Sequence, residues 1–96
     1  MGDASQLRVG RLDEVVPLYQ WALADRERFL GAEHRQALAS RNNLAIAYES
    51  AGRLDDSISL YERTLADRKR ILGINHQDTV AAGVNFERAL RMAEPP

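Results

Sequence analysis

The chain is 96 residues long, with 13 basic and 14 acidic residues, a net charge of −1, 45% hydrophobic residues and no cysteine. That length holds four or five short helices around one layer of core and leaves no room for a catalytic domain plus a regulator. The charges are interleaved, so nothing favours nucleic acid or an anionic membrane; no apolar run nears the ~20 residues of a membrane helix, and the missing thiols remove disulfide and thiolate chemistry. Met1 to Gly10 lacks the apolar segment of a signal peptide, which together with the lack of cysteine leads to the expectation of a cytoplasmic protein.

In chain order, a partial helix is expected near Ala4 to Val9, frayed and ending before Gly10. Leu12, Val16, Tyr19, Leu23 and Leu30 then recur at helical spacing and predict a helix over about Leu12 to Leu30, with Pro17 about one turn inside it, removing one backbone hydrogen bond and bending it. Gly31 closes this helix, and a short loop carries His34. Leu38, Arg41, Leu44, Ala45, Tyr48 and Ala51 mark a helix from about Gln36 to Ala51, with small alanines where a neighbour can approach and Gly52 as a left-handed cap. Leu54, Ile58, Tyr61, Leu65 and Leu72 predict a helix over Leu54 to Leu72, which Gly73 closes as Gly31 does, before a loop with His76. A last helix, about Asp78 to Met92, carries Val80, Phe86, Ala89 and Leu90 and stops at Glu94-Pro95-Pro96.

Gly10-Arg11-Leu12-Asp13 and Gly52-Arg53-Leu54-Asp55 lie 42 positions apart, and the match runs on through Leu18-Tyr19, Leu23-Ala24-Asp25-Arg26, Leu30-Gly31 and His34. Positions 10–48 against 52–90 give 17 identical pairs of 39 with no gap. A fixed period of this size is the signature of stacked helical hairpins, in which neighbours bury what one hairpin cannot.

Asn43-Leu44-Ala45, Tyr48, Gly52, Leu54, Ile58, Tyr61 and Leu65 resemble the tetratricopeptide consensus of a small-residue A helix, a glycine turn and an aromatic-containing B helix. The 42-residue period, with its long B helix and closing Leu-Gly-x-x-His, resembles the kinesin light chain class of these repeats, which also recurs in bacterial signalling ATPases and regulators. The resemblance covers about Gly10 to Leu90. It implies an all-α fold, an α-α superhelix or tetratricopeptide-like solenoid of about two repeats in the order partial A, B, A, B, A, with units at about 10–51 and 52–93 of a single domain. A HEAT-like stack has an overlapping period, but the aromatic and glycine placement favours the first reading. Two departures stand out. Arg35 and Gln77 replace the proline that often follows the loop histidine, and Glu87 stands where Ala45 does, so it should face solvent or a basic partner.

The resemblance implies a protein or peptide ligand on the concave wall built by the A helices. The groove-facing residues would be Ala39, Asn42, Asn43, Ile46 and Glu49, then Ala81, Val84, Asn85, Arg88 and Arg91. Asparagine amides can donate to and accept from an extended peptide backbone, or they can simply satisfy neighbouring helices. Arg88 and Arg91, at i and i+3, can clasp a carboxylate or remain solvated surface. Asn42 and Ile46 stand where chaperone-binding relatives place basic residues, which argues against a chaperone-tail clamp. Asp25 with Arg28, and Asp67 with Arg70, are expected as i, i+3 pairs on outer faces.

No nucleophile elbow, phosphate loop or zinc spacing is present, so no enzyme, cofactor or metal is expected. His34 and His76 are equivalent residues of adjacent repeats, about 10 Å apart, too far to share an ion; each is expected to hydrogen-bond the start of the next helix.

Trp21 falls where the other repeat has Arg63, so it either covers the array's open first face or anchors a partner. A self-associating assembly element, dimeric or propagating, is therefore the second functional expectation, through Trp21, Phe86 and Leu90. A longer array whose neighbours cover both faces is the alternative.

Overall fold

The computed structural model describes the backbone of residues 4–95 and the side chains of residues 14–95. Four helices follow one another through short loops: α1 Ala4–Leu30, α2 Arg35–Ser50, α3 Leu54–Leu72 and α4 Gln77–Ala93. Among the described residues there is no strand. Each helix packs on its neighbour in sequence, so α1 and α3 are the B helices of a solenoid and α2 and α4 its A helices.

The partial A helix expected near Ala4 to Val9 is not a separate element, because those residues continue α1 without a break. Continuing the helix keeps the backbone hydrogen bonds at the ~1 kcal/mol cost of one interior glycine, Gly10. Pro17 sits inside the same helix.

The turns show why the period is kept. At Gly52, with φ 81°, the amide of Gly52 donates to Glu49 O at 3.1 Å and that of Arg53 to Tyr48 O at 2.8 Å, the paired bonds of a Schellman cap. Gly31 and Gly73 also have positive φ, 93° and 90°, but ψ at Gly73 is 161°, so the chain leaves α3 extended rather than through a left-handed turn. The Gly31 and Gly73 turns match each other: the glycine amide donates four residues back and its carbonyl accepts from the histidine amide three residues on.

Those histidines then start the A helices. His34 Nδ1 accepts from the Gln36 amide at 3.1 Å and His76 Nδ1 from the Asp78 amide at 3.0 Å, each satisfying one orphan donor of the first turn.

Two apolar clusters form the core. Val16 and Leu23 of α1 meet Leu44, Ala47 and Tyr48 of α2; Ala45 of α2 meets Tyr61 of α3 and Ala89 of α4, and Leu60 packs against both groups. Ala45 and Ala89 are fully buried, so the alanines do let backbones approach. Ser57, also fully buried, donates to the Ala45 carbonyl at 2.8 Å and ties α3 to α2. Tyr19, the repeat counterpart of buried Tyr61, is 39% exposed, since no described helix lies where α2 lies for Tyr61.

Arg41 was legible only as a position on the buried stripe. It is 2% exposed, and its guanidinium holds Asp67 of α3 at 2.6 Å and faces Glu27 of α1 at 3.8 Å. Asp67 also takes Arg70 at 3.2 Å, whereas among the described residues Asp25 forms no ion pair, so only one of the two expected outer pairs is made. Thr64 is the reverse case, a fully buried hydroxyl with no partner, where the other repeat has Ala22.

Two stability outcomes follow, both read from urea unfolding midpoints. Arg41→Ala leaves a cavity at a fully buried site and takes the shared cation from the half-buried Glu27 and Asp67, and is expected to destabilise by about 2 kcal/mol, whereas Arg70→Ala leaves the midpoint nearly unchanged. Thr64→Val removes an unsatisfied hydroxyl at constant volume and is expected to stabilise by about 1 kcal/mol; a loss would mean that the hydroxyl has a partner.

Candidate protein-binding groove

The A helices α2 and α4 lie side by side, joined by side chains in a fixed order. Asn85 Nδ2 donates to Asn42 Oδ1 at 3.4 Å, and further along Arg88 reaches Glu49, with Nη2 to Oε1 at 2.9 Å and Nε to Oε2 at 3.2 Å. Residues 42 and 49 pair with 85 and 88 in the same sense, so the two helices are parallel, as equivalent helices of a stacked repeat must be.

Tyr61 enters this network from α3. Its hydroxyl donates to Glu49 Oε1 at 2.9 Å while Arg88 Nη1 donates to Asn85 Oδ1 at 2.9 Å. Glu49 is thus held by a forked guanidinium and a phenol, its side chain only 14% exposed. The Arg88 hydrogen bond, foremost, holds the Glu49 carboxyl below its ordinary range against the opposing effect of burial. Burial first, and then the Glu49 hydrogen bond, push the Tyr61 phenol up to about 12, so it remains a donor.

Five of the residues singled out from the sequence, Asn42, Glu49, Asn85, Arg88 and Arg91, therefore have partners within the chain. Arg88 and Arg91 were expected to clasp an outside carboxylate together. Arg88 is instead engaged by Glu49, and Arg91 lies 3.7 Å from Glu87 one turn away. Glu87 is well exposed beside that arginine, as its position opposite Ala45 required. Asn43 and Ile46 are exposed on α2, and Val84 on α4, so amide and aliphatic surface flanks the polar network. Tyr61 was noted in the sequence only as an apolar repeat position; its hydroxyl faces Glu49 because the B helix is read from the A-helix side.

Of the residues assigned to self-association, Phe86 and Leu90 line a cleft of about 500 Å³ between α3 and α4, and Trp21 is 70% exposed on α1. Trp21 thus stands largely in solvent. No helix among the described residues is long and apolar enough to cross a membrane.

The model of the tetratricopeptide repeat family matches residues 37–78, a span of one full period that takes in most of α2, all of α3 and the start of α4. Residues 37–78 form a tetratricopeptide repeat. The kinesin light chain-like class suggested by the 42-residue period is consistent with that match. Comparison with curated proteins and with solved structures gives no match. Tetratricopeptide repeats are protein-interaction repeats rather than catalytic ones.

The network makes stability pH-dependent. Glu49 and Asp67 are held below their ordinary values of 4.5 and 3.8, the latter chiefly by the Arg41 hydrogen bond, so the stability each contributes is complete above those values and is lost as pH falls beneath them. The thermal midpoint is expected to drop on acidification below about pH 4.5, and Glu49→Gln should lower it at neutral pH while flattening the drop. Circular dichroism melts at stepped pH read both effects.

Proposed function

We propose that the protein binds an extended segment of a partner protein along the wall formed by α2 and α4. What supports this reading is the division of labour along that wall. Glu49, Arg88, Tyr61, Asn85 and Asn42 fasten the two A helices to each other, and Asn43, Ile46 and Val84 remain exposed beside them. A pre-fastened wall loses little conformational entropy when a ligand arrives, and exposed amides hydrogen-bond a peptide backbone without demanding its sequence. The aliphatic residues supply shallow contacts for alternate side chains.

In this reading Asn43, Ile46 and Val84 meet the ligand directly. Asn42, Glu49, Asn85 and Arg88 hold the wall and offer their outer edges, and Arg91 lies at its far end. The protein requires no cofactor or metal for this role, and its partner is a protein rather than nucleic acid or a membrane.

Peptides selected on the immobilised protein from a random displayed library provide the ligands for a test. Asn43→Ala with Ile46→Ala should weaken them roughly 30-fold, the equivalent of one hydrogen bond and one aliphatic contact of about 1 kcal/mol each. Glu62→Ala, on the outer side of α3, should leave them unchanged. Equal losses for both sets, measured by fluorescence anisotropy with helicity checked, would place the ligand elsewhere.

A further inference from the structure

The repeat provides an internal template for how a helix docks on a hairpin. In the cleft between α1 and α2, α3 is seated against Leu23, Leu44, Ala45 and Tyr48, with its Asp67 on buried Arg41. One period on, these cleft residues become Leu65, Phe86, Glu87 and Leu90, and Arg41 becomes Gly83. They line the α3–α4 cleft of about 500 Å³, in which Val80 and Val84 are more than half exposed.

The face that fits this cleft is present at the other end of the chain. Leu18, Asp25 and Phe29 of α1 are the counterparts of Leu60, Asp67 and Ile71 of α3, and with Trp21 they share one face. Leu18, Trp21 and Phe29 are 67%, 70% and 68% exposed, so the described chain leaves this face bare. Charge selects the match. Where Glu27 flanks Arg41 in the first cleft, the second has Lys69, and Gly83 leaves open the space of the arginine side chain. Among the described residues neither Lys69 nor Asp25 forms an ion pair, although their counterparts belong to one buried cluster.

We propose that α1 of a second copy occupies the α3–α4 cleft in the register that α3 adopts on α1–α2, so that copies stack head to tail. Asp25 then meets Lys69, which takes over the role of Arg41. Leu18 enters among Leu65, Phe86 and Leu90, and Trp21 covers the edge. Tyr19, at the place of Tyr61, brings its hydroxyl to Arg91, the counterpart of Glu49, and lies beside Glu87, whose counter-ion is the same Arg91. Such a contact is heterologous and propagates rather than closing on a two-fold axis.

Sedimentation velocity on the intact protein at rising concentration tests this. Wild type should pass from monomer through dimer to larger species. Lys69→Glu and Asp25→Lys, each placing like charges face to face, should each raise the concentration for half-association on the order of tenfold or more. An equimolar mixture of the two variants restores opposite charges at every contact and should recover wild-type behaviour. Both side chains are without ion pairs, so circular dichroism should show unchanged helicity. A wild type that stays monomeric, a mass that stops at dimer, indifference to either charge reversal, or a mixture that fails to recover would each overturn the proposal.

Discussion

Everything in this structure depends on burying α2 on two sides at once. Ala37, Leu38, Ser40, Arg41, Leu44, Ala45, Ala47 and Tyr48 are buried, and they do not fall on one stripe. Leu44, Ala47 and Tyr48 face α1, while Ala45 and Arg41 meet α3. A hairpin of α1 and α2 alone would leave the second of these faces in water, and a hairpin of α2 and α3 alone would leave the first. The fold is therefore cooperative across helices that are distant in sequence only by one period, and the short turns at Gly31, Gly52 and Gly73 keep the next helix within reach of the last.

Arg41 sharpens this constraint. A guanidinium at 2% exposure is tolerable only because carboxylates arrive from both flanking B helices, Glu27 from α1 and Asp67 from α3. Apolar contacts alone would permit α3 to slide along α2 with modest loss. A buried charge with a forked donor set does not, since a shift of one residue leaves it unpaired. The Ser57 bond to the Ala45 carbonyl acts in the same direction. Register is thus specified by polar groups within an interface whose driving force is apolar.

Much of this is legible in the sequence. The glycines and the Leu, Ile and Tyr positions recur at a fixed interval, and α3 was bounded correctly because its caps and its periodicity agree. The loop histidines, too, could be assigned to helix starts, since two of them at one period imply a repeated local role. The N-terminal boundary of α1 misled because Gly10 matches Gly52 in sequence, yet the backbone runs through Gly10 as helix and turns at Gly52. Arg41 was opaque for a related reason: its repeat counterpart is Gly83, so periodicity offered no second instance of a buried cation. In the groove, the residues could be placed on the A helices, but not their pairing. That Arg88 would choose Glu49 over an outside carboxylate depends on the spacing of α2 and α4, which is set by Ala45, Tyr61 and Ala89 packing between them.

The Glu49–Arg88–Tyr61 network also bears on how a binding wall can be both firm and receptive. Two parallel A helices meet here only through side chains, with α3 behind them as the common support. Were the wall purely apolar, the exposed seam would collapse around whatever small side chains it held and lose its shape. A forked ion pair with a phenol beneath it sets a distance instead, because each donor and acceptor is satisfied at one geometry. Arg88 is nonetheless 46% exposed on its outer side. A ligand can therefore lie across the network and exchange water for contact without breaking it, and the energy that positions the helices is separate from the energy that recognises the ligand. For the same reason, changing Glu49 or Arg88 disturbs the wall itself, while changing Asn43 or Ile46 disturbs only what touches it.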